Sequence, residues 1–305
     1  MEKILIIAGP TAVGKTALSI ELAKQYDGEI VSGDSMQVYR GLDIGTAKVT
    51  TEEQQGISHH LIDVRNFDER FSVADFVQLS SALITDIHAR HKLPIIAGGT
   101  GFYLSALVDG LTLGGDEYDQ DEAIRVKWRN YLQDFGEQEL WNQLAAVDAP
   151  AAQKIPVSNS RRIIRALEVY ERTGQRFSDQ TQAKTPQYDA LIVGLTTERS
   201  LLYERINQRV DLMIKAGLID EAYELYERGG FEFQSGRGIG YKEFAGYFEG
   251  HQSLKEAVEK IKLDSRHYAK RQLTWFRNKM TVNWFDLIQN PEQKADIEGL
   301  IAGWL

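Results

Sequence analysis

Cysteine is absent from all 305 residues. Disulfides, a thiol nucleophile and a thiolate metal site are therefore excluded. Proline is scarce, with six residues, and no internal repeat or low-complexity linker interrupts the chain. No apolar run approaches the roughly 18 residues that a membrane-spanning helix requires. The apolar stretch after Met1-Glu2-Lys3 is five residues long before it meets Gly9-Pro10, too short and wrongly flanked for a signal peptide. A cytoplasmic protein without membrane contact is expected. Positive charge is also in deficit, since 35 Lys and Arg face 44 Asp and Glu, for a net charge of −9. Taken alone, that sum argues against nucleic-acid binding, because phosphate contacts need Lys and Arg.

The sum hides a local asymmetry. Lys255 to Lys279 holds eight Lys and Arg against three acids, and Arg161 to Arg176 holds five Arg against two Glu. Acid collects elsewhere, at Asp116, Glu117, Asp119, Asp121 and Glu122. A partner meets such local stripes rather than the total.

Hydrophobic content of 43% and charged content of 26% are ordinary for a globular protein with a real core. Residues 3–8 form a continuous apolar run before a glycine-rich turn, as a buried parallel strand does. A helix pattern follows from Lys15 to about Gln25, then a strand from Glu29 to about Ser32. Val73–Arg90 reads as a helix. Pro94–Ala97, Ala190–Leu195 and Thr281–Phe285 read as three more strands. Strands alternating with helices imply an α/β fold, a P-loop NTPase-like doubly wound parallel sheet. Between about Leu111 and Thr185 the strand signal vanishes and Trp128, Tyr131, Phe135 and Trp141 appear. The expected organisation is a core of residues 1–110 and 186–305 with a mostly helical insertion domain at 111–185.

Gly9-Pro10-Thr11-Ala12-Val13-Gly14-Lys15-Thr16 fits G-x-x-x-x-G-K-[ST] and lies between a strand and a helix, the context the motif needs. The glycines let backbone N–H groups converge on phosphate oxygens, and the helix N-terminus adds partial positive charge. Lys15 supplies a full charge and Thr16 an oxygen for Mg²⁺. A nucleoside triphosphatase would next need an apolar strand ending in Asp. The strand at 94–97 instead runs into Gly98-Gly99-Thr100-Gly101, which disfavours an ATP-driven motor or switch. The carboxylate follows the second strand, as Asp34. His59 and His60 read as structural, because adjacent residues do not share an element's face.

Several further blocks are unusual. They are Gly33-Asp34-Ser35-Met36-Gln37-Val38-Tyr39-Arg40, Asp43–Lys48, His59–Asp63, Phe71–Phe76, Gly98–Tyr103, Arg161–Glu168, Arg205–Arg209, Gly238–Glu243 and Lys270–Arg277. With the phosphate loop, they span nearly the whole chain and closely resemble the tRNA dimethylallyltransferase family, also called tRNA isopentenyltransferase. Its eukaryotic members carry a C-terminal zinc finger. The absence of cysteine makes the resemblance one to the short bacterial form. The resemblance implies transfer of a dimethylallyl group from dimethylallyl diphosphate to N6 of the adenosine at tRNA position 37, with Mg²⁺ assisting and pyrophosphate leaving. The expected partners are the tRNA anticodon stem-loop and the prenyl diphosphate, and the expected state is a monomer.

The resemblance also implies roles. Gly9, Thr11, Ala12, Val13, Gly14, Lys15, Thr16 and Arg205 would hold the diphosphate. Arg209 would grip it, Thr100 would hydrogen-bond it, and Asp34 would act as the general base toward N6. Asp34, Ser35, Met36 and Gln37 would meet the extruded purine. Arg161, Arg162, Arg165, Arg237, Gly240, Tyr241, Lys242, Lys270, Arg271, Gln272, Trp275 and Arg277 would contact tRNA. Arg172, Lys255, Lys262 and Arg266 fall on the same helical stripes as several of these. Plain structural alternatives stand beside these roles. They are a solvated arginine face paired to Glu204 or Asp211, a turn hydroxyl at Thr100, a turn-capping Asp34, and solubilising basic stripes. Three other functions are open on the residues alone: a small-molecule kinase, a prenyltransferase acting on free AMP or ADP, and a nucleotide-gated RNA-binding switch without enzymatic activity.

Overall fold

The structure, a computed structural model, describes residues 1–110, 122–179 and 185–305. The acidic cluster Asp116, Glu117, Asp119 and Asp121 lies outside the described residues, as does the side chain of Glu122. In chain order the elements begin with β1 (Glu2–Ala8), α1 (Lys15–Gln25), β2 (Gly28–Ser32), α2 (Thr51–Gln54), β3 (His59–His60), α3 (Val73–Ala89), β4 (Leu93–Gly98) and α4 (Gly101–Asp109). They continue with α5 (Glu122–Val147), α6 (Ala149–Lys154), α7 (Ser160–Thr173), β5 (Tyr188–Leu195), α8 (Arg199–Lys215) and α9 (Leu218–Glu227). The last are α10 (Ala245–Phe248), α11 (Leu254–Lys279), β6 (Asn283–Phe285) and α12 (Gln293–Trp304). The chain divides into two compact units, Met1–Gly110 with Thr185–Leu305, and Leu111–Lys184.

The first unit is built on one six-stranded sheet in the order β3-β2-β4-β1-β5-β6. Every strand pair is parallel; Leu5, for example, lies opposite Ile95 on one side and Leu191 on the other. Burial on both faces explains the unbroken apolar run of β1. Ile4, Ile6 and Ala8 point into one core with Phe76, Ile84 and Leu104 from α3 and α4. Leu5 and Ile7 point into the other with Leu18, Leu22, Ile297 and Ile301 from α1 and α12. Each such aliphatic side chain contributes about 1.5–3 kcal/mol on burial. Five strands were expected and, among the described residues, six are present. The extra one, β3, consists of the two histidines, which extend the sheet edge opposite Ile30 and Val31. His60 Nε2 pairs with Glu29 Oε2 at 2.8 Å, and His59 Nδ1 with Ile57 O at 2.9 Å.

Glu29 sits at 4% side-chain exposure among Arg90, Lys92 and His60. The Arg90 guanidinium holds its carboxyl down at about 2, well below the usual carboxylate range, with His60 and Lys92 assisting.

In the second unit, α5 is bent where Gly136 leaves the helical region at φ 82°. Leu140 and Leu144 of α5 pack against Ala151, Ile155, Ile163 and Leu167. Trp141 Nε1 donates to the carbonyls of Ala152 (3.1 Å) and Ile155 (3.0 Å), tying α5 to the end of α6. The expected basic stripe lies on α7. Arg161 and Arg162 are exposed on its first turn, while Arg165 pairs with the buried Glu168 at 3.1 Å. Glu168 also accepts from Arg125 Nε at 3.0 Å, so Arg165 belongs first to a structural ion-pair cluster.

Candidate active site

The carboxyl ends of β1, β2 and β4 open into a cavity of about 940 Å³, where an open α/β sheet places its ligands. The loop from Gly9 to Thr16 forms its floor. Gly9 has φ 148°, and a Cβ there would lie 2.6 Å from the Leu195 carbonyl oxygen, so only glycine lets the loop leave β1. Ala12 also holds a left-handed φ of 65°, a conformation costing a non-glycine residue about 1 kcal/mol or more. Arg205 Nε steadies that residue by donating to Ala12 O at 3.0 Å. Lys15 Nζ donates to Pro10 O at 2.7 Å, and Thr16 is exposed on the first turn of α1.

One turn further along α8, Arg209 donates to Thr11 Oγ1 at 3.4 Å. Lys15 and Arg209 thus lie over the same loop. Burial first, and then the neighbouring Arg209, hold the Lys15 ammonium down at about 8, with Asp34 pulling the other way. Arg209 is likewise lowered by burial, against the favourable charges of Asp34 and Glu53. An arginine that depresses a buried lysine beside an amide-lined loop makes a cationic end to the cavity.

Asp34 follows β2 and lines the cavity with Ser35, Met36 and Gln37. Its Oδ1 accepts from the Met36 N–H at 2.8 Å, which turns the chain sharply. Thr100, between β4 and α4, accepts from the Ser35 N–H at 3.1 Å and so joins the two strand ends. Gln37 is fully engaged. Its amide donates to Thr46 O and Ala47 O, both at 3.3 Å, and accepts from Ser32 Oγ at 2.9 Å. It fixes the 46–47 wall before it could read any ligand.

The segment from Arg237 to Lys242 also borders the cavity. Within it the expectation for Tyr241 is corrected. Its side chain is fully buried and its hydroxyl donates to Glu221 Oε1 at 2.7 Å, so it anchors the segment from inside instead of standing at the surface. Glu221 in turn accepts the N–H groups of Asp43, Ile44 and Gly45 at 2.8–2.9 Å, holding the loop that carries Thr46 and Ala47.

On α11, Gln272 is corrected in the same sense. It is 5% exposed, lines the cavity and is bonded at both ends of its amide, to the Thr11 N–H and Gly99 O, instead of standing on the outer surface. Lys262 and Arg266 face α8, paired with Asp211 (2.8 Å) and Asn207 (2.6 Å). Lys270, Arg271 and Arg277 are exposed. Trp275 stands edge-on to the exposed Phe102, with ring centroids 5.9 Å apart. Sequence reasoning overlooked Tyr268, one turn before Gln272. It lines the cavity with its hydroxyl between Thr100 and Gln272, and burial, with Asp34 adding, pushes that hydroxyl up to about 12. Its helical offset of four from Gln272 is the signal that would have marked it.

Fold and cavity together define an α/β protein with a glycine-rich loop, two cations and a carboxylate lining one cavity. Comparison with known proteins narrows the class. The family model described as IPP transferase matches residues 37–279. A tRNA dimethylallyltransferase of Limosilactobacillus fermentum is 58% identical over 100% of this chain and 99% of its own. The crystal structure of the full-length tRNA isopentenylpyrophosphate transferase from Bacillus halodurans is 48% identical, with a TM-score of 0.75 over 100% of this chain and 97% of that one. A eukaryotic dimethylallyltransferase, solved acting on tRNA, is 29% identical with a TM-score of 0.82, over 98% of this chain and 78% of that one. The chain belongs to the tRNA dimethylallyltransferase family, the IPP transferases.

Proposed function

We propose that this protein transfers a dimethylallyl group from dimethylallyl diphosphate to N6 of the adenosine at tRNA position 37. The observation that carries the reading is one cavity that brings the carboxylate of Asp34 within the electrostatic reach of both Lys15 and Arg209. Such a site serves both halves of the reaction. The allylic C–O bond breaks, its electron pair leaves with pyrophosphate, and the loop N–H groups, Lys15 and Arg209 stabilise the charge that develops there. The N6 lone pair forms the new C–N bond, and Asp34 accepts the proton that N6 loses. Tyr268 offers a hydroxyl to the same cavity.

Magnesium fits the residues present. Thr16 offers a hard oxygen on the exposed first turn of α1, beside the lysine that would face the same diphosphate. Mg²⁺ accepts few protein ligands when substrate phosphates supply the rest. Bound there, it would neutralise charge on the leaving group.

The acceptor side is supported by the exposed Arg161 and Arg162, by Arg237 and Lys242 at the cavity rim, and by Lys270, Arg271, Trp275 and Arg277 on α11. On this reading the helical insertion at 111–185 contacts the anticodon stem-loop, and the protein acts in the cytoplasm as a monomer. Among the described residues no helix is long and apolar enough to cross a membrane.

The test is incubation with dimethylallyl diphosphate and unmodified tRNA, followed by mass analysis of the nucleosides. N6-dimethylallyladenosine from position 37 is the expected product. Phosphoryl transfer from ATP, or prenylation of free AMP without tRNA, would overturn the reading in favour of a kinase or a nucleotide prenyltransferase.

A further inference from the structure

Two tyrosines border the central cavity among the described residues, and they differ in what their hydroxyl protons do. The proton of Tyr241 is spent on Glu221, at 2.7 Å. Tyr268 stands on α11 one turn before Gln272 and is half-buried in the cavity wall. Its hydroxyl lies between the side chains of Thr100 and Gln272, and Asp34 is close enough to act on it. The position is a junction. On one side Gln272 accepts the Thr11 N–H of the phosphate loop at 3.0 Å. On the other stands Asp34, the proposed base.

The hydrogen-bond inventory directs the Tyr268 proton into the cavity. A phenol has one proton to give and an oxygen that accepts. Gln272 spends one of its two Nε2 protons on Gly99 O, at 2.9 Å, and keeps the other. Thr100 Oγ1 accepts the Ser35 N–H at 3.1 Å, with Ser35 Oγ more distant at 3.4 Å. Both Thr100 and Gln272 favour the charged form of the phenol, as donors to its oxygen do. With its oxygen accepting from behind, the O–H is turned toward a ligand. Burial outweighs these donors and pushes the hydroxyl up to about 12, so it keeps its proton and stays a donor at neutral pH. The Arg271 guanidinium lies 5.6 Å from the ring centroid, a contact that helps hold the ring's orientation.

We propose that Tyr268 is a further catalytic residue, whose O–H donates a hydrogen bond to the bridging oxygen of the prenyl diphosphate as that oxygen departs. The inference rests on the proposed function, which supplies the donor and the bond that breaks. The bridging oxygen joins the phosphates, held by the loop, to the carbon that N6 attacks beside Asp34, and Tyr268 stands at that junction. No proton changes hands at Tyr268. The C–O electron pair leaves with pyrophosphate, N6 loses its proton to Asp34, and the phenol keeps its own. Its hydrogen bond strengthens as negative charge builds on the leaving oxygen, so it stabilises the transition state more than the bound donor.

The experiment uses the full chain as wild type, as Tyr268→Phe, and with 3-fluorotyrosine or 3,5-difluorotyrosine placed at position 268. Each is assayed by single-turnover transfer from dimethylallyl diphosphate to unmodified tRNA at pH 7. Calorimetry with inorganic pyrophosphate and filter-binding of tRNA run alongside. Tyr268→Phe keeps the ring and its Arg271 contact and removes only the donor. Its transfer rate should fall about 10²-fold, the scale of one lost donor to a developing oxyanion. Pyrophosphate affinity should fall by less than about fivefold, with tRNA affinity unchanged. Fluorine makes the phenol a stronger donor in the same place, so each fluorine should raise the rate about twofold. The fluorinated pair carries the test if the phenylalanine variant does not fold. A tyrosine that only fills the wall would give one rate for the three hydroxyl-bearing side chains. That result, or a Tyr268→Phe rate within about twofold of a wild type that does prenylate tRNA, would overturn this proposal alone. A wild type that forms no prenylated tRNA would instead overturn the function on which it rests.

Discussion

Alkaline pH should loosen the cradle's hold on a diphosphate, with a midpoint set by Lys15. The ammonium of this residue is held at about 8, against an ordinary 10.5, by burial and by Arg209. A diphosphate on the loop brings negative charge to Nζ and restores the preference for the charged form. The sign follows. Below pH 8 the free lysine is already protonated, and the ligand binds without proton uptake. Above pH 8 the free lysine is neutral, and each binding event must take up a proton. Affinity should then fall by about tenfold per pH unit until the bound-state pKa is reached. An unreactive alkyl diphosphate, almost fully ionised throughout, should bind about 25-fold more weakly at pH 9.5 than at pH 7.5. Titration calorimetry in buffers of different ionisation enthalpy would read the uptake directly, approaching one proton per site at the upper end. Arg209→Gln removes the second-largest cause of the depression, so its midpoint should move to higher pH even as its affinity at neutral pH drops. A flat affinity with no proton uptake, or a midpoint that moves down in Arg209→Gln, would refute the reasoning.

Three other outcomes are expected. Asp34→Asn keeps the turn acceptor for the Met36 N–H but loses the base. Its kcat should fall by about 10²–10⁴ with tRNA affinity within about twofold, and filter-binding beside single-turnover kinetics separates the two. Glu221→Gln puts an NH₂ group among three backbone donors and the Tyr241 hydroxyl. It should cost about 2 kcal/mol in a denaturant melt and raise donor KM as the 43–47 loop loosens. The Glu29 carboxyl, at about 2 in the folded chain against an ordinary 4.5, contributes stability fully present above pH 4.5 and lost as pH falls toward 2. Glu29→Gln should therefore flatten the acid limb of a pH-dependent thermal melt, and an unchanged limb would count against the network.

The parts of the fold that were legible in the sequence are those set by local pattern. An apolar run entering a glycine loop, followed by a helix, announced β1, the cradle and α1, and the observed helix spans Lys15–Gln25 as the pattern suggested. Strand β3 was not legible because two histidines carry no period; their strand character comes from pairing with β2. In the site, the loop, Asp34, Arg205 and Arg209 stood out by spacing and charge. Tyr241 and Gln272 were expected to contact tRNA because they fall inside blocks that carry the family resemblance. What buries them comes from far away in the chain: Glu221 for one, Thr11 and Gly99 for the other. Tyr268 was passed over for the same reason. A helical wheel shows which residues share a face, but not whether that face meets solvent or a cavity.

The bond between Thr11 and Gln272 joins residues 261 positions apart. During synthesis, the glycine loop leaves the ribosome early and its fastener is among the last pieces to arrive. Every nascent chain shorter than about nine-tenths of the full length therefore carries the motif without this fastener. Truncated fragments that retain the motif should be poor traps for a prenyl diphosphate, however well their first strand and helix have formed.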